Sequence, residues 1–244
     1  MPATSNKQQL LNLVFTTLKK RSPQAEEPSE QRTILEHLIY AICREETTRE
    51  MADLAFQNLL PPRFIDWNEV RVSTIQELEE SLASVPNPGE RAQRIIGVLQ
   101  EWFELTYSFD MEEIAETAKK KGLKEGSKKI ARLKEVDDFI LAWVIQQGFG
   151  GHAIPLDEAT SRVLRRLGVI DGETDDLEAI RGSIEHNVPK ARGAVFVDLL
   201  AMHAQELCTE ENPNCPACPL NSDCPTGIEV LRTRVPEPKP RKSR

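Results

Sequence analysis

Residues 206–225 read E-L-C-T-E-E-N-P-N-C-P-A-C-P-L-N-S-D-C-P, and the reading of the chain turns on Cys208, Cys215, Cys218 and Cys224. The intervals between them are six, two and five residues, in a Pro- and Asn-rich loop that follows a long helical pattern. Thiolate sulfurs are soft donors, and four of them on one short loop can close around zinc or an iron–sulfur cluster. A structural zinc site usually presents two C-x-x-C pairs with a longer spacer between them. Here one pair is flanked by a single cysteine on either side, which suits the four corners of a cubane better. Zinc, and unliganded thiols or disulfides, remain the other readings of the loop.

Working outward, the chain of 244 residues is long enough for one large domain or two small lobes. Twelve glycines set against many Leu, Ile, Ala and Glu favour helices, and no run of alternating β-branched residues asks for a sheet. The start, Met-Pro-Ala-Thr-Ser-Asn-Lys, is polar, and no apolar run approaches the length that spans a membrane. A cytoplasmic protein is expected, in which cysteines more often bind metal than pair. The fifth cysteine, Cys43, shares a helical apolar face with Leu35, Ile39 and Ile42 and reads as a small buried hydrophobe.

The formal charge of −8 argues against a nucleic-acid binder until its distribution is considered. From Lys119 to Lys134, eight bases face Glu125 alone, a local balance of +7. Lys128, Lys129, Arg132 and Lys134 belong to this run and are the candidate contacts to phosphate. Phosphate binding needs a local patch, because screening confines a charge to roughly one Debye length of about 8 Å. A solvated helix face is the alternative reading.

Helical spacing recurs along the chain. Leu10, Leu11, Val14, Phe15 and Leu18 mark a first helix, and Ile34, Leu35, Leu38, Ile39 and Ile42 a second. Thr47 or Thr48 can cap a third, ended by Pro61-Pro62, and Ser73 with Gln76 makes a capping box for a fourth. Pro88-Gly89-Glu90 opens a helix bearing Ala92, Ile95, Ile96, Leu99 and Phe103. Further helices are expected over 110–120, 127–133, 137–147, 157–167, 175–185 and 189–207. Residues 231–244 are basic and, towards the end, Pro-rich, and read as a disordered tail.

The C-x6-C-x2-C-x5-C spacing at the end of an all-helical chain resembles the [4Fe-4S] loop of endonuclease III and the related adenine glycosylases. Residues Ala131–Leu167 are similar to the same family: two short helices about a tight turn, the connection Gly148-Phe149-Gly150-Gly151, and a helix begun by Ile154-Pro155-Leu156-Asp157. The resemblance covers about residues 30–225. It implies an all-α, helix-hairpin-helix DNA glycosylase-like fold of two helical lobes within 1–230. Both chain ends would form the cluster lobe, with 208–224 as the loop that carries the cofactor. Asp157 matches the family's essential aspartate, whose carboxylate stabilises an oxocarbenium-like transition state or orients the attacking water. Read without the family, Asp157 is a helix cap, and the two roles can coexist. His203, a turn before Cys208, matches a family histidine and is expected to pack near the cluster.

The departures from the family pattern matter as much. Where the family has L-P-G-x-G-x-K, this chain has Leu133-Lys134-Glu135-Val136-Asp137-Asp138-Phe139. Glycines would let the turn close and offer amides to a phosphate; Glu135 and Asp137 restrict it and bring carboxylates there. Phe139 occupies the place of the lysine that forms a Schiff base in bifunctional enzymes, and a phenyl ring cannot attack C1′. The adenine glycosylases also lack that lysine. Where relatives have S-A-Q, whose glutamine fills the gap left by an extruded base, Glu45 would bring a charge into the stack. A solvated helix end is the better reading of Glu45 and Glu46.

The expected protein is therefore a monomeric base-excision glycosylase for damaged or mispaired bases, acting on double-stranded DNA through Asp157, with binding weakened by the acidic hairpin and the lyase step lost. The alternatives are a non-catalytic iron–sulfur relative that binds DNA or a protein, and a zinc-bearing helical adaptor.

Overall fold

Every residue of 34–44 except Glu36 is buried, so this short helix is surrounded by other elements and the rest of the chain wraps it. The computed structural model describes residues 7–25, 31–170 and 177–234, and no strand occurs among them. The first half is α1 (Lys7–Arg21), α2 (Ile34–Arg44), α3 (Arg49–Gln57), α4 (Trp67–Val72), α5 (Ile75–Ser81) and α6 (Pro88–Thr106). There follow α7 (Glu112–Lys121), α8 (Leu123–Ile130), α9 (Asp138–Trp143), α10 (Glu158–Arg166), α11 (Leu177–Asn187), α12 (Lys190–Glu206) and α13 (Pro225–Arg234). A π turn, Val144–Gly148, extends α9, and a 3-10 turn, Cys215–Ala217, lies in the cysteine loop.

These helices enclose two separate cores. One is built from residues of α2 to α9, among them Leu38, Ile39, Leu78, Ile95, Leu99, Ile130 and Ile140. The other joins both ends of the chain: Leu11, Val14 and Leu18 of α1 meet Val163, Leu164, Phe196, Leu200 and, beyond the last long helix, Leu220. The expected all-α fold of two helical lobes is thus observed. Cys43 is fully buried, and burial pushes its thiol up to about 12.

Local chemistry starts each helix. Thr33 and Glu36 form a capping box on α2, and Thr48 caps α3 by accepting from the Met51 amide. The capping box of α5 is Thr74 with Glu77, one residue later than the expected Ser73 and Gln76. Ser73 instead closes α4, its amide and hydroxyl both donating to the Glu69 carbonyl. With six residues and only Val70 buried, α4 is too short to show a period in sequence. The helix expected over 127–133 lies earlier, over 123–130. There α8 meets α7 so closely that a Cβ on Gly126 would stand 2.4 Å from that of Ala118.

At the far end α13 reaches Arg234, so the tail expected from 231 is helical at its start, while 235–244 lie outside the described residues. Asp175, the expected start of the helix at 175–185, also lies outside them. Among the described residues no helix is long and apolar enough to cross a membrane.

One buried group gives this fold a pH dependence. His37 on α2 is 6% exposed, its Nδ1 has no partner among the described residues, and burial followed by the charge of Arg32 lowers its pKa to about 4. The unfolded chain therefore binds a proton near pH 6.5 that the folded protein refuses until about pH 4. Stability falls as pH drops through that window, by on the order of 3 kcal/mol from this group. His37→Leu should remove this share of the fall in the urea-unfolding profile, leaving the share of His203, which burial also lowers to about 4, and stability above pH 7 should be little changed.

Candidate active site

Asp157 begins α10, and its placement follows from the helix it caps. Its Oδ1 accepts from the Thr160 amide at 2.8 Å and the Thr160 hydroxyl at 2.7 Å, while its own amide donates back to Thr160 Oγ1. The remaining oxygen, Oδ2, accepts the backbone N–H of Glu46 at 2.7 Å, a bond between residues 111 positions apart. Asp157 is 6% exposed, and both oxygens are committed. The cap of the sequence reading is thus present, and it also ties α10 to the end of α2.

The Glu46 turn lies in the left-handed region, with φ 52°. Gln205 of α12 donates to the Glu46 carbonyl at 2.6 Å. Arg91 of α6, 5% exposed, donates to the carbonyls of Ile42, Glu45 and Pro86, taking up orphan acceptors at the C-terminus of α2. Beneath the turn, fully buried Arg44 bonds the Thr47 carbonyl and pairs with Asp198 Oδ1 of α12 at 2.8 Å. Arg49 pairs with the other Asp198 oxygen. Burial and then the charge of Asp157 raise the Glu46 pKa, with Arg91 and Arg162 opposing. Glu45 and Glu46 are therefore not a solvated helix end. Glu45 pairs with Arg94, and the backbone of Glu46 meets Asp157.

The hairpin between α8 and α9 is internally neutralised. Asp137 caps α9, its Oδ1 accepting from the Ile140 amide at 2.9 Å. Arg94 of α6 bridges Asp137 and Glu45, at 2.6 Å to each, and also reaches the Glu135 carbonyl. The amide of Lys134 donates to the Glu101 carboxylate. Carboxylates of the chain itself thus occupy amides that a glycine hairpin would leave open. Phe139 is 3% exposed and stacks on Trp143 at 6.2 Å, which in turn meets Tyr40, so the lysine position of the family pattern is core here.

Lys128, Lys129, Arg132 and Lys134 are all exposed. Lys128 pairs with Glu125 at 2.5 Å and Lys129 with Glu113 at 3.3 Å, while Lys120 pairs with Glu116. Two of these acids come from α7, which folds back along α8, so the positive excess is smaller than a count along 119–134 implies. Exposed pairs of this kind are worth about 0–1 kcal/mol and can yield to a phosphate.

All four loop cysteines line one pocket, together with His203, Arg166 and Leu220. The Leu220 amide points at Cys218 Sγ at 3.4 Å and the Gly227 amide at Cys224 Sγ at 3.3 Å. His203 Nε2 lies 3.6 Å from Cys218 Sγ, and burial followed by the charge of Arg21 lowers that histidine to about 4, so its ring is neutral. Burial, and then the other cysteines, raise the thiols of Cys218 and Cys224. Arg162 and Arg166 of α10 hold the loop's first turn through the carbonyls of Cys208, Thr209 and Glu210. Among the described residues no three His, Cys, Asp or Glu side chains converge closely enough to hold a single ion.

Sequence reasoning missed Glu46, Arg44, Arg91, Arg94, Gln205 and Asp198. Their roles rest on contacts across the fold, and the only local hint was an arginine and an aspartate in apolar helical runs.

No family model matches the chain. An endonuclease III homolog of Encephalitozoon cuniculi is 24% identical over 120 residues, about half the length of each protein. The fold matches a trapped endonuclease III–DNA covalent intermediate with a TM-score of 0.66 and 21% identity, over 93% of this chain and 99% of that one. A thermostable thymine-DNA glycosylase matches at 0.62 with 17% identity, again over 93% and 99%. The H. pylori 3-methyladenine DNA glycosylase matches at 0.58 with 14% identity, over 84% and 99%. The fold is that of endonuclease III and related helix-hairpin-helix DNA glycosylases.

The buried pair beneath the turn gives a stability test. Asp198→Ala strands the Arg44 charge and should lower the unfolding free energy by about 3–5 kcal/mol in urea titration. Replacing both partners by apolar residues, Arg44→Met with Asp198→Leu, should restore most of that loss.

Proposed function

We propose that this chain is an endonuclease III-like DNA glycosylase that hydrolyses the N-glycosidic bond of a damaged or mispaired base and lacks the lyase step. The observation that carries this reading is the buried Asp157 carboxylate at the start of α10, held by three donors from two parts of the fold. A carboxylate so constrained offers fixed negative charge, which stabilises the positive sugar as the C1′–N bond lengthens and water approaches. Phe139 in the core supports the loss of the lyase step, because that step needs an amine to form an imine at C1′. Arg132 and Lys134, exposed and beside the hairpin, are the best-placed phosphate contacts, with Lys128 and Lys129 available once their acids let go.

The cysteine pocket fits a [4Fe-4S] group held by Cys208, Cys215, Cys218 and Cys224, with amides and Arg166 facing the sulfurs. Bound there, the group supplies a covalent crosslink of the loop rather than reaction chemistry. A second reading, a non-catalytic relative that binds DNA or a protein, draws its support from the neutralised hairpin, where the Asp137 carboxylate takes an amide at the start of α9 and Arg94 pairs with it.

Single-turnover base release on duplexes bearing oxidised pyrimidines, mismatched adenine or uracil separates the two. Strand breaks that appear only after alkali, reduced about 100- to 1000-fold in Asp157→Asn, are expected. Breaks without alkali would overturn the reading of Phe139, and no release by folded, cluster-loaded protein would favour the non-catalytic relative. Purified protein should be brown, with broad absorbance near roughly 400 nm. Cys215→Ala should lose that colour and the cooperative unfolding of the second core. A colourless wild type with stoichiometric zinc would overturn the cluster.

A further inference from the structure

We propose that Glu46 is the proton-transferring carboxylate of this site and Asp157 its fixed-charge partner. The inference rests on the glycosylase reading above and adds to it a second acid that the sequence pattern did not indicate.

The first argument is conformational. A left-handed glutamate is disfavoured sterically, and such a residue persists where its surroundings over-determine it. Here they do: Asp157 takes the Glu46 amide, Gln205 its carbonyl, Arg91 the carbonyl before it and Arg44 the carbonyl after it. Four side chains from α2, α6, α12 and the start of α10 hold one strained residue, and the result is that Glu46 stands beside Asp157.

The second argument is the contrast between the two carboxylates. Asp157 is buried, and both its oxygens are occupied by donors of the protein itself. Glu46 is half-buried, and among the described residues no hydrogen bond or ion pair engages its carboxylate. The charges facing it are Asp157 and Glu158, which favour its protonated form, and Arg91 and Arg162, which oppose it. Burial adds to the first pair, and the net shift is upward. Two carboxylates whose environments differ in this way divide the labour of acid and charge stabiliser.

The step balances. The C1′–N bond breaks and its electron pair leaves with the base nitrogen, which takes the Glu46 proton. Water adds its oxygen to C1′ and gives its proton to the Glu46 carboxylate, restoring the acid, while Asp157 faces the positive sugar throughout.

The test uses the full-length, cluster-loaded protein over roughly pH 5 to 9, with single-turnover base release, duplex affinity and thermal melting measured together. Glutamine keeps the side chain's shape and leaves the main-chain bonds of the turn in place. Glu46→Gln should slow release about 100- to 10,000-fold with affinity and melting unchanged. The fall in wild-type rate at high pH, where the acid has lost its proton, should vanish. Glu46→Asp should keep partial activity with that fall moved in pH, and decides the matter if Glu46→Gln does not fold. Wild-type rate and pH profile in the folded variant, with Asp157→Asn inactive, would overturn the role of Glu46 alone. A wild type that releases no base would overturn the glycosylase reading and this inference with it.

Discussion

Two carboxylates from the second core grip the end of a helix in the first, and the arrangement of the molecule depends on that grip. Asp198 of α12 neutralises Arg44, which is buried completely at the C-terminus of α2. Asp157, at the start of α10, takes the amide of Glu46 two residues further on. A charge as deeply buried as Arg44 is tolerated only when paired and hydrogen-bonded, so the contact leaves little freedom in how the two cores meet. The candidate site lies on this seam because the same bonds that join the cores also orient its carboxylates.

α10 carries the consequence in the other direction. Its first residue is capped by Asp157, while Arg162 and Arg166, one and two turns on, hold the carbonyls at the start of the cysteine loop. One short helix therefore couples the loop's position to that of the aspartate. A group bound by the four cysteines would stiffen the loop and, through these arginines, the base of α10. Such a structural part is consistent with a loop whose donors face an apolar pocket rather than the seam.

The hairpin solves a problem that its sequence creates. Acids in place of two glycines would repel a phosphate and strain the turn, yet Arg94 draws Asp137 and Glu45 together and Asp137 takes the Ile140 amide of α9. The electrostatic cost is removed internally, and the hairpin's own anion site is filled. What this end leaves exposed is side chains such as Arg132 and Lys134 rather than backbone amides.

Much of this was legible in the chain alone. Cysteine spacing, helical periods and caps are local properties, set by neighbours a few residues apart, so the all-α fold, the loop and Asp157 at a helix start could be read directly. Short elements were not: α4 buries one residue, and the capping box of α5 shifted by one because Ser73 was needed to close the preceding helix. The pairing of Lys129 with Glu113 could not be read along the chain, because it needs α7 to fold back against α8. Glu45 and Glu46 read as a solvated helix end because sequence cannot say that Glu46 turns left-handed towards Asp157 while Glu45 meets Arg94. Sequence determined which residues could cap, ligate or be buried, since those are properties of side chains and their spacing. Tertiary structure alone decided which charges met, because Arg94 with Asp137, Arg44 with Asp198 and Asp157 with Glu46 are partners brought together only when two cores close on each other.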